Sequence, residues 1–280
     1  MAPKSMQWLT LATIGSVLVA MTGCVGKPGM TDRPGTPQPP VPRRYVCPRT
    51  TAPITIDGKL DEPAWSAAHW TETFVDIQGA SHPTPRFTTR AKMLWDDTNF
   101  YIAATLEEPH VWATLTKRDE IVFHDNDFEI FIDPDGDRCN YYEIEINPHN
   151  TIFDLLLVHT YRDGGPAQHN WDLAGLTSAV NVIGTLNNPA DTDVGWIVEF
   201  ALPWSALAEH ANTPAPPHDG DTWRVNFSRV EWQHVVVGPR YLKQPDTPED
   251  NWVWSPQGVI DMHLPEHWGY VTFTTAPARQ

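Results

Sequence analysis

The sequence of 280 residues predicts an all-β fold, a sandwich of two antiparallel sheets with short helical turns. Three observations support this prediction. Apolar and polar residues alternate with a period of two at short intervals, as the pleat of a strand requires. Gly, Pro, Asn and Asp recur between these segments, and no long stretch has the period of an amphipathic helix. Many short strands joined by such turns are typical of a β-sandwich.

The first 24 residues predict a lipoprotein signal peptide. Lys4 provides a basic start, residues 8–20 are mostly apolar, and the small residues Thr22 and Gly23 directly precede Cys24. Bacterial chains with this order are cleaved before the cysteine, which is then acylated, so Cys24 is the predicted lipidation site. An ordinary secretory signal is the alternative. The apolar stretch is shorter than the ~20 residues that span a bilayer.

Residues 25–44 predict a linker, because proline and glycine at this density form a semi-extended spacer rather than a packed core. A lipid anchor followed by such a spacer would tether the rest of the chain to a bacterial membrane. Val25 and Gly26 lack the aspartate that commonly retains lipoproteins at the inner membrane. This favours the outer membrane or the cell surface.

Residues 45–280 predict one folded domain, since all-β sandwiches often run to roughly 200–250 residues as single units. The net charge of −16 excludes nucleic acid as an expected partner on electrostatic grounds. With Cys24 lipidated, Cys47 and Cys139 remain as an even pair in an exported chain, where disulfides are permitted. A Cys47–Cys139 bridge is one expectation and two isolated thiols are the other.

Alternation and flanking turn residues predict strands, in chain order, at residues 54–56, 86–95, 99–107, 126–133, 141–147, 152–159, 179–186, 196–202, 223–232 and 267–274. Each segment is rich in β-branched, aromatic or aliphatic residues and ends near a turn residue. Two short helical turns are predicted at residues 61–65 and 203–207, each with a proline near its start.

The two acidic strands at the centre of the chain have one apolar and one polar face. The apolar face combines Phe128, Ile130 and Ile132 with Tyr142, Ile144 and Ile146. The opposite face combines Glu129, Phe131, Asp133, Tyr141, Glu143, Glu145 and Asn147. A merely solvated face seldom gathers carboxylates, an amide and aromatic rings so densely. The polar face therefore predicts a binding surface.

Several segments, in order, resemble the family 9 carbohydrate-binding modules. Residues 54–65 (ITIDGKLDEPAW) resemble that family's opening motif, residues 93–102 (MLWDDTNFYI) its central hairpin, residues 127–133 (DFEIFID) its acidic strand and residues 195–199 (GWIVE) its late strand. The resemblance extends from about residue 53 to the C-terminus. It implies a β-sandwich that binds sugars without cleaving them, often with structural calcium and often attached to glycoside hydrolases.

Three positions depart from the family pattern. Two tryptophans that enclose a terminal sugar in characterised members align near Phe123 and Met262, so an aromatic ring is retained only at Phe123. A family arginine that binds sugar hydroxyls aligns near Glu145, which reverses the charge. The resemblance therefore supports the predicted fold more strongly than it supports the identity of the ligand.

Sugar recognition needs flat aromatic surface for the apolar face of a pyranose and polar groups for its hydroxyls. The predicted stacking residues are Trp112, Phe123, Trp252 and Trp254, and the predicted hydroxyl contacts are Arg118, His124, Glu143, Glu145, Asn147, Arg224 and Asn226. The strand with Arg224 and Asn226 would contribute to the site if it lay beside the acidic strands. The alternatives are tryptophans packed in the core and a salt-bridged ladder on a solvated sheet.

Asp133, Asp135 and Asp137 surround Gly136 in a turn, and Ca²⁺ prefers oxygen ligands of this kind. A structural calcium ion is therefore one expectation, and a solvated acidic turn is the other. The interpretation requires no further cofactor.

The sequence predicts non-catalytic binding of a poly- or oligosaccharide by a membrane-tethered, exported lipoprotein that supports polysaccharide capture or breakdown. One alternative is a hydrolytic or hydrolase-associated domain that acts on O-glycosyl bonds. Another is a haem-binding domain similar to the DOMON group, with Met262, His263 or His124 as iron ligands. A third is a surface-assembly subunit with a protein partner. The sequence contains no nucleophile elbow, no HExxH motif and no phosphate-binding loop that would indicate a specific enzyme class.

Overall fold

The computed structural model describes residues 40–276. The predicted signal peptide, Cys24 and nearly all of the predicted linker lie outside these residues. In chain order, the strands are β1 (Arg44–Pro48), β2 (Val75–Asp76), β3 (Thr89–Trp95), β4 (Asn99–Glu107), β5 (Phe128–Asp133), β6 (Cys139–Ile146), β7 (Ile152–His159), β8 (Ala167–Gln168), β9 (Thr177–Ile183), β10 (Gly195–Pro203), β11 (Thr222–Glu231), β12 (His234–Val237), β13 (Arg240–Lys243), β14 (Asp250–Val253) and β15 (Gly269–Thr274). The helices are α1 (Pro63–Ala67) and α2 (Trp204–Leu207).

The strands form two facing sheets and a separate hairpin, which confirms the predicted sandwich. The larger sheet has the order β1-β15-β11-β5-β6-β7-β8. In addition, β14 pairs with the C-terminal part of β11 from Ser228 to Glu231, and β2 pairs with β14. The smaller sheet has the order β3-β4-β10-β9, and β12 pairs with β13. All pairs are antiparallel except β1 with β15, which is parallel. Within residues 40–276, no helix has the length and apolar character needed to cross a membrane.

The main core lies between the two sheets, and the predicted division of faces is confirmed there. Phe128, Ile130 and Ile132 of β5 are fully buried in this core together with Ile144 of β6. Their partners on the smaller sheet include Phe200 of β10, whose ring packs on that of Phe128. Because inward residues alternate with outward ones, β5 and β6 present their polar residues to the outer face of the larger sheet.

A buried carboxylate connects two of the segments on which the family resemblance rests. Glu199 of β10 accepts hydrogen bonds from the backbone amides of Asp57 and Gly58 at 3.0 and 2.7 Å. Its other oxygen accepts one from the indole of Trp65 at 2.7 Å. The segment at 54–56, predicted as a strand, is not one. The backbone amide of Thr55 donates to the side chain of Glu62 at 3.0 Å and not to a neighbouring strand.

A second buried cluster of charges joins the two sheets at one end of the sandwich. Arg229 of β11 is 1% exposed and donates to Glu108 and Glu231, both at 2.8 Å, and these carboxylates are 2% exposed. The guanidinium also donates to the hydroxyl of Thr89 on the smaller sheet at 3.1 Å. Burial and the charge of Glu231 raise the pKa of Glu108 to about 9. Arg229 is thus the cation that allows two carboxylates to be buried together.

The predicted Cys47–Cys139 bridge is wrong, since the buried thiol of Cys47 is free. Cys47 lies on β1 and points into the main core, whereas Cys139 begins β6 and contacts His159. Four strand spacings separate β1 from β6 in the sheet order, a distance of roughly 19 Å. A disulfide spans at most ~7 Å between Cα atoms.

Candidate functional site

A cavity with a volume of about 500 Å³ lies on the outer face of the larger sheet. We call it the acidic pocket. Its floor is formed by strands β5, β6 and β7. Its walls come from the loop before β5, which carries Phe123, and from the loop after β14, which carries Met262. Pockets of this size are typical of sites for small molecules.

Three glutamates on the floor of the acidic pocket meet because of the register of the β5–β6 hairpin. Glu129 of β5 is paired directly with Glu145 of β6, and Phe131 is paired with Glu143. All three carboxylates line the pocket and are at most 5% exposed. Because side chains alternate between the two faces of a strand, Glu129, Glu143 and Glu145 lie close together on one face of the sheet.

Glu145 also holds one wall of the pocket in place. One of its carboxylate oxygens accepts a hydrogen bond from the backbone amide of Phe123 at 2.8 Å. The ring of Phe123 packs edge-on against that of His124, with centroids 4.7 Å apart, and the carbonyl of Phe123 accepts from the indole of Trp232 at 2.9 Å. The wall is therefore fixed by the floor and by a neighbouring strand end.

The carboxylates of the pocket are electrostatically frustrated. Burial raises the pKa of Glu129 to about 7. Burial first, and then the charge of Glu129, raises the pKa values of Glu143 and Glu145 well above their ordinary range. The same two causes act on Asp127, which is fully buried beside them. The pocket consequently favours either protons or a ligand that donates to these oxygens.

One of the two histidines that line the pocket has a lowered pKa. His263 lines the pocket, and burial lowers its pKa to about 4. Its Nδ1 atom lies 2.9 Å from the hydroxyl of Tyr141, with which it shares a hydrogen bond. No lysine or arginine is found among the pocket-lining residues that the structure describes.

The structure brings together Phe123, Glu143 and Glu145 from the predicted set, and their binding role stays a prediction. Met262, the other position aligned with a family tryptophan, also lines the pocket. Glu129 was not among the predicted site residues. The signal for it was present, because Glu129 shares the polar face with Glu143 and Glu145.

Three predicted stacking residues lie away from the pocket. Trp252 and Trp254 are buried in the core between the sheets, where Trp254 packs against Phe227. Trp112 is 3% exposed and packs against Tyr241 of the hairpin. The wall of tryptophans predicted from the alternation in residues 251–255 is therefore wrong, because that face turns inward and seals the sandwich.

Arg224 and Asn226 do not face the acidic strand β6, because β5 lies between it and β11. Arg224 is beside Asp133 in the register and donates to the carbonyl of Trp268 at 2.7 Å. Asn226 is fully buried, and its side chain donates to the carbonyl of Ser255 and accepts from its amide, both at 2.8 Å. Both side chains fasten loops to the sheet.

Arg118, His124 and Asn147 are also absent from the lining of the pocket. Arg118 makes ion pairs with Asp154 and Asp172. Asn147 is fully buried and donates to Asp125 at 3.0 Å, which fixes the loop that leads to β5. His124 is exposed on the outer side of the same loop. Arg118 and Asn147 thus support the loops around the pocket from behind.

The acidic turn between β5 and β6 brings three carboxylates close together. Asp133, Asp135 and Asp137 each bring a carboxylate oxygen within 4.8 Å of the others. Asp133 also accepts from the amides of Gly136 and Arg138 at 2.9 and 3.0 Å, so the turn has internal hydrogen bonds of its own. The oxygen set fits Ca²⁺, and calcium binding stays a prediction.

Comparison with known proteins gives two kinds of relatives. The chain is 27% identical over 152 residues to exoglucanase XynX of Acetivibrio thermocellus, which covers 54% of this chain and 12% of that protein. It is 30% identical over 149 residues to endo-1,4-beta-xylanase C of Paenibacillus barcinonensis, with coverage of 53% and 11%. The chain thus spans about a tenth of the length of these curated relatives.

Solved structures show the same fold. A putative carbohydrate-binding protein from Bacteroides uniformis ATCC 8492 matches with a TM-score of 0.61 and 17% identity, over 83% of this chain and 99% of that one. A carbohydrate-binding module of family 9 from Caldicellulosiruptor kristjanssonii, in complex with cellotriose, matches with a TM-score of 0.56 and 15% identity, over 84% and 95%. The family model of the carbohydrate family 9 binding domain-like group matches residues 56–220. This match covers more than half of the sequence, and the chain belongs to the carbohydrate family 9 binding domain-like family.

Proposed function

We propose that the acidic pocket binds a terminal unit of an oligosaccharide without cleaving it. The observation that carries the proposal is that Glu129, Glu143 and Glu145 line one cavity of about 500 Å³ together with Phe123. The carboxylates supply acceptors for vicinal hydroxyls, and Phe123 supplies an apolar surface for the pyranose. The fold likeness to a cellotriose complex and the xylanase relatives support glycans with β-1,4 linkages as first candidates.

The environment of the carboxylates favours binding over hydrolysis. A retaining glycosidase also has two carboxyl groups about 5 Å apart, but it needs one ionised nucleophile and one protonated acid. Here burial raises the pKa values of Glu129, Glu143 and Glu145 in the same direction. None of these three glutamates therefore has the lowered pKa that favours an ionised nucleophile.

Haem binding is a poorer fit to the geometry. Met262 and His263 line the pocket as consecutive residues of one loop, whereas two axial ligands approach an iron from opposite faces. His124 does not line the pocket. The carboxylate floor would also oppose the apolar faces of a porphyrin.

The Phe123→Ala variant tests the proposed site. We expect it to lower the affinity for a bound oligosaccharide about tenfold, since an aromatic stacking contact contributes ~1 kcal/mol or more in a partly buried site. The measurement is calorimetric titration of the full chain with cellotriose, xylotriose and a broader glycan panel. The matched control is Trp70→Ala, which removes a half-buried ring stacked on Lys92 of the smaller sheet. Equal affinities of the two variants for the oligosaccharide would contradict the placement of the site. The absence of detectable binding to every glycan of the panel would contradict the function.

We also propose that residues 1–44 export and tether this domain through a lipid on Cys24, so that a captured polysaccharide is held at the cell envelope for breakdown. The motif Thr22-Gly23-Cys24 supports this part of the proposal. Metabolic labelling with a palmitate analogue should mark the native chain and not the Cys24→Ser variant. Equal labelling of both chains, or labelling of neither, would contradict lipidation at Cys24.

A further inference from the structure

The lining of the acidic pocket has an excess of negative groups. Five carboxylates line it: Glu129, Glu143, Glu145, Glu249 and Asp261. No lysine or arginine of residues 40–276 lines it with them. Elsewhere, some buried acids have a cation, such as Arg229 beside Glu108 and Glu231, or Arg118 beside Asp154. Others, such as Glu199, have both carboxylate oxygens occupied by N–H donors of the protein. Lys243 lies outside the lining, over the ring of Trp232, and interacts electrostatically with Glu249 and Asp127. Glu129, Glu143 and Glu145 are buried without an ion pair, which is costly, and a positive group from outside the chain would relieve this cost.

Two acids, one lining the pocket and one behind its floor, each have an oxygen with no hydrogen-bond partner in the protein. Glu143 is 5% exposed and lines the pocket, and its Oε2 atom has no hydrogen-bond partner. Asp127 is fully buried behind the floor, and its Oδ2 atom also has no hydrogen-bond partner. Oxygens of Asp127, Glu129 and Glu145 lie within 4.8 Å of one another. A ligand with several donors on one positive atom would satisfy such a set.

The dimensions and walls of the pocket indicate an organic cation. A bare metal ion would leave most of the 500 Å³ empty, whereas a sugar ring with substituents would fill it. The side chains of Phe123, Phe131, Phe153 and Tyr161 surround the space with aromatic surface. Rings of this kind attract cations as well as the apolar face of a pyranose.

We propose that the pocket selects a sugar with a free amino group, a deacetylated hexosamine, whose ammonium group is bound by Glu143 and the paired glutamates Glu129 and Glu145. This inference rests on the proposed function and names its ligand class. A neutral hydroxyl supplies a donor but no positive charge to stabilise an ionised carboxylate on the floor. An ammonium supplies three donors and one positive charge at the same position. The raised pKa values of these glutamates agree, since an adjacent cation would relieve their repulsion.

Three trisaccharides with the same β-1,4-linked, glucose-configured backbone test the proposal, because they differ only at carbon 2. They are cellotriose with a hydroxyl, the fully deacetylated glucosamine trimer with an ammonium, and the N-acetylglucosamine trimer with a neutral amide. We expect calorimetry of the full chain near pH 6 to show at least about tenfold tighter binding of the deacetylated trimer than of the other two. The Glu143→Gln variant should reduce this preference, while Glu209→Gln, which changes an exposed glutamate, should keep it. Thermal unfolding of both variants confirms that they are folded.

The other outcomes separate the inference from the function. Equal or tighter binding of cellotriose would overturn the amine preference and leave carbohydrate binding intact. Failure of all three trisaccharides and of the glycan panel would overturn both. A preference that appears only with added Ca²⁺ and disappears with EDTA would show that a metal ion, and not the ammonium, neutralises the floor.

Discussion

The Arg229→Met variant is expected to lose about 3–5 kcal/mol of the free energy of unfolding, because removal of one partner from a buried ion cluster leaves the other charges uncompensated. Arg229 is the cation between Glu108 and Glu231, and all three side chains are at most 2% exposed. Urea denaturation followed by tryptophan fluorescence measures the change.

The matched control is Arg162→Met. Arg162 pairs with Glu266 at 2.5 Å, and the two side chains are 39% and 33% exposed. An ion pair as open to solvent as this one contributes ~0–1 kcal/mol. Similar small losses of stability in both variants would show that the buried cluster is dispensable. They would also contradict the view that a cation is what allows these acids to be buried.

The second large effect is a fall in stability as the pH rises from about 5 to about 8. The folded pKa of Glu129 is about 7, above its unfolded value near 4.5, so the folded state holds a proton that the unfolded state releases between these values. The unfolding free energy therefore decreases with rising pH, by about 3 kcal/mol for Glu129 alone. Glu143, Glu145 and Asp127 have raised pKa values and act in the same direction. Groups with lowered pKa values, such as Glu266, lose their contribution only in more acidic solution.

Thermal unfolding at a series of pH values measures this slope. Glu129→Gln keeps the size of the side chain and removes the titration, so the variant should be stabilised near pH 8 and have a shallower slope. Glu209→Gln, outside the pocket, should keep the slope of the parent. A parent chain that becomes more stable as the pH rises through 7 would contradict the buried, uncompensated state of these glutamates.

The fold followed from the sequence wherever one face of a strand is apolar. β4 and β7 have the predicted bounds, and the hairpin of β5 and β6 has the predicted faces. The short strands β2 and β8, and the exposed hairpin of β12 and β13, were missed because they have too few residues or too little burial to show a period. β1 and β14 were missed as well, and β1 begins at Arg44, one residue before the predicted domain boundary.

The site was only partly predictable, because alternation gives the face of a side chain and says nothing about which strands are neighbours. Glu143 and Glu145 were placed correctly by the hairpin, which is local. Arg224 and Asn226 were misplaced because β5 separates their strand from β6, a long-range pairing. Trp252 and Trp254 share a face as predicted, and only the packing of the two sheets shows that this face is the inner one.

A crystal structure of the full chain grown with the tightest-binding oligosaccharide tests the central claim most directly. We predict density for a sugar ring in the acidic pocket, against Phe123 and near Met262, with a polar substituent within hydrogen-bond distance of Glu143. A sugar bound on any other surface, with the acidic pocket filled only by solvent, would contradict the assignment of this pocket as the binding site.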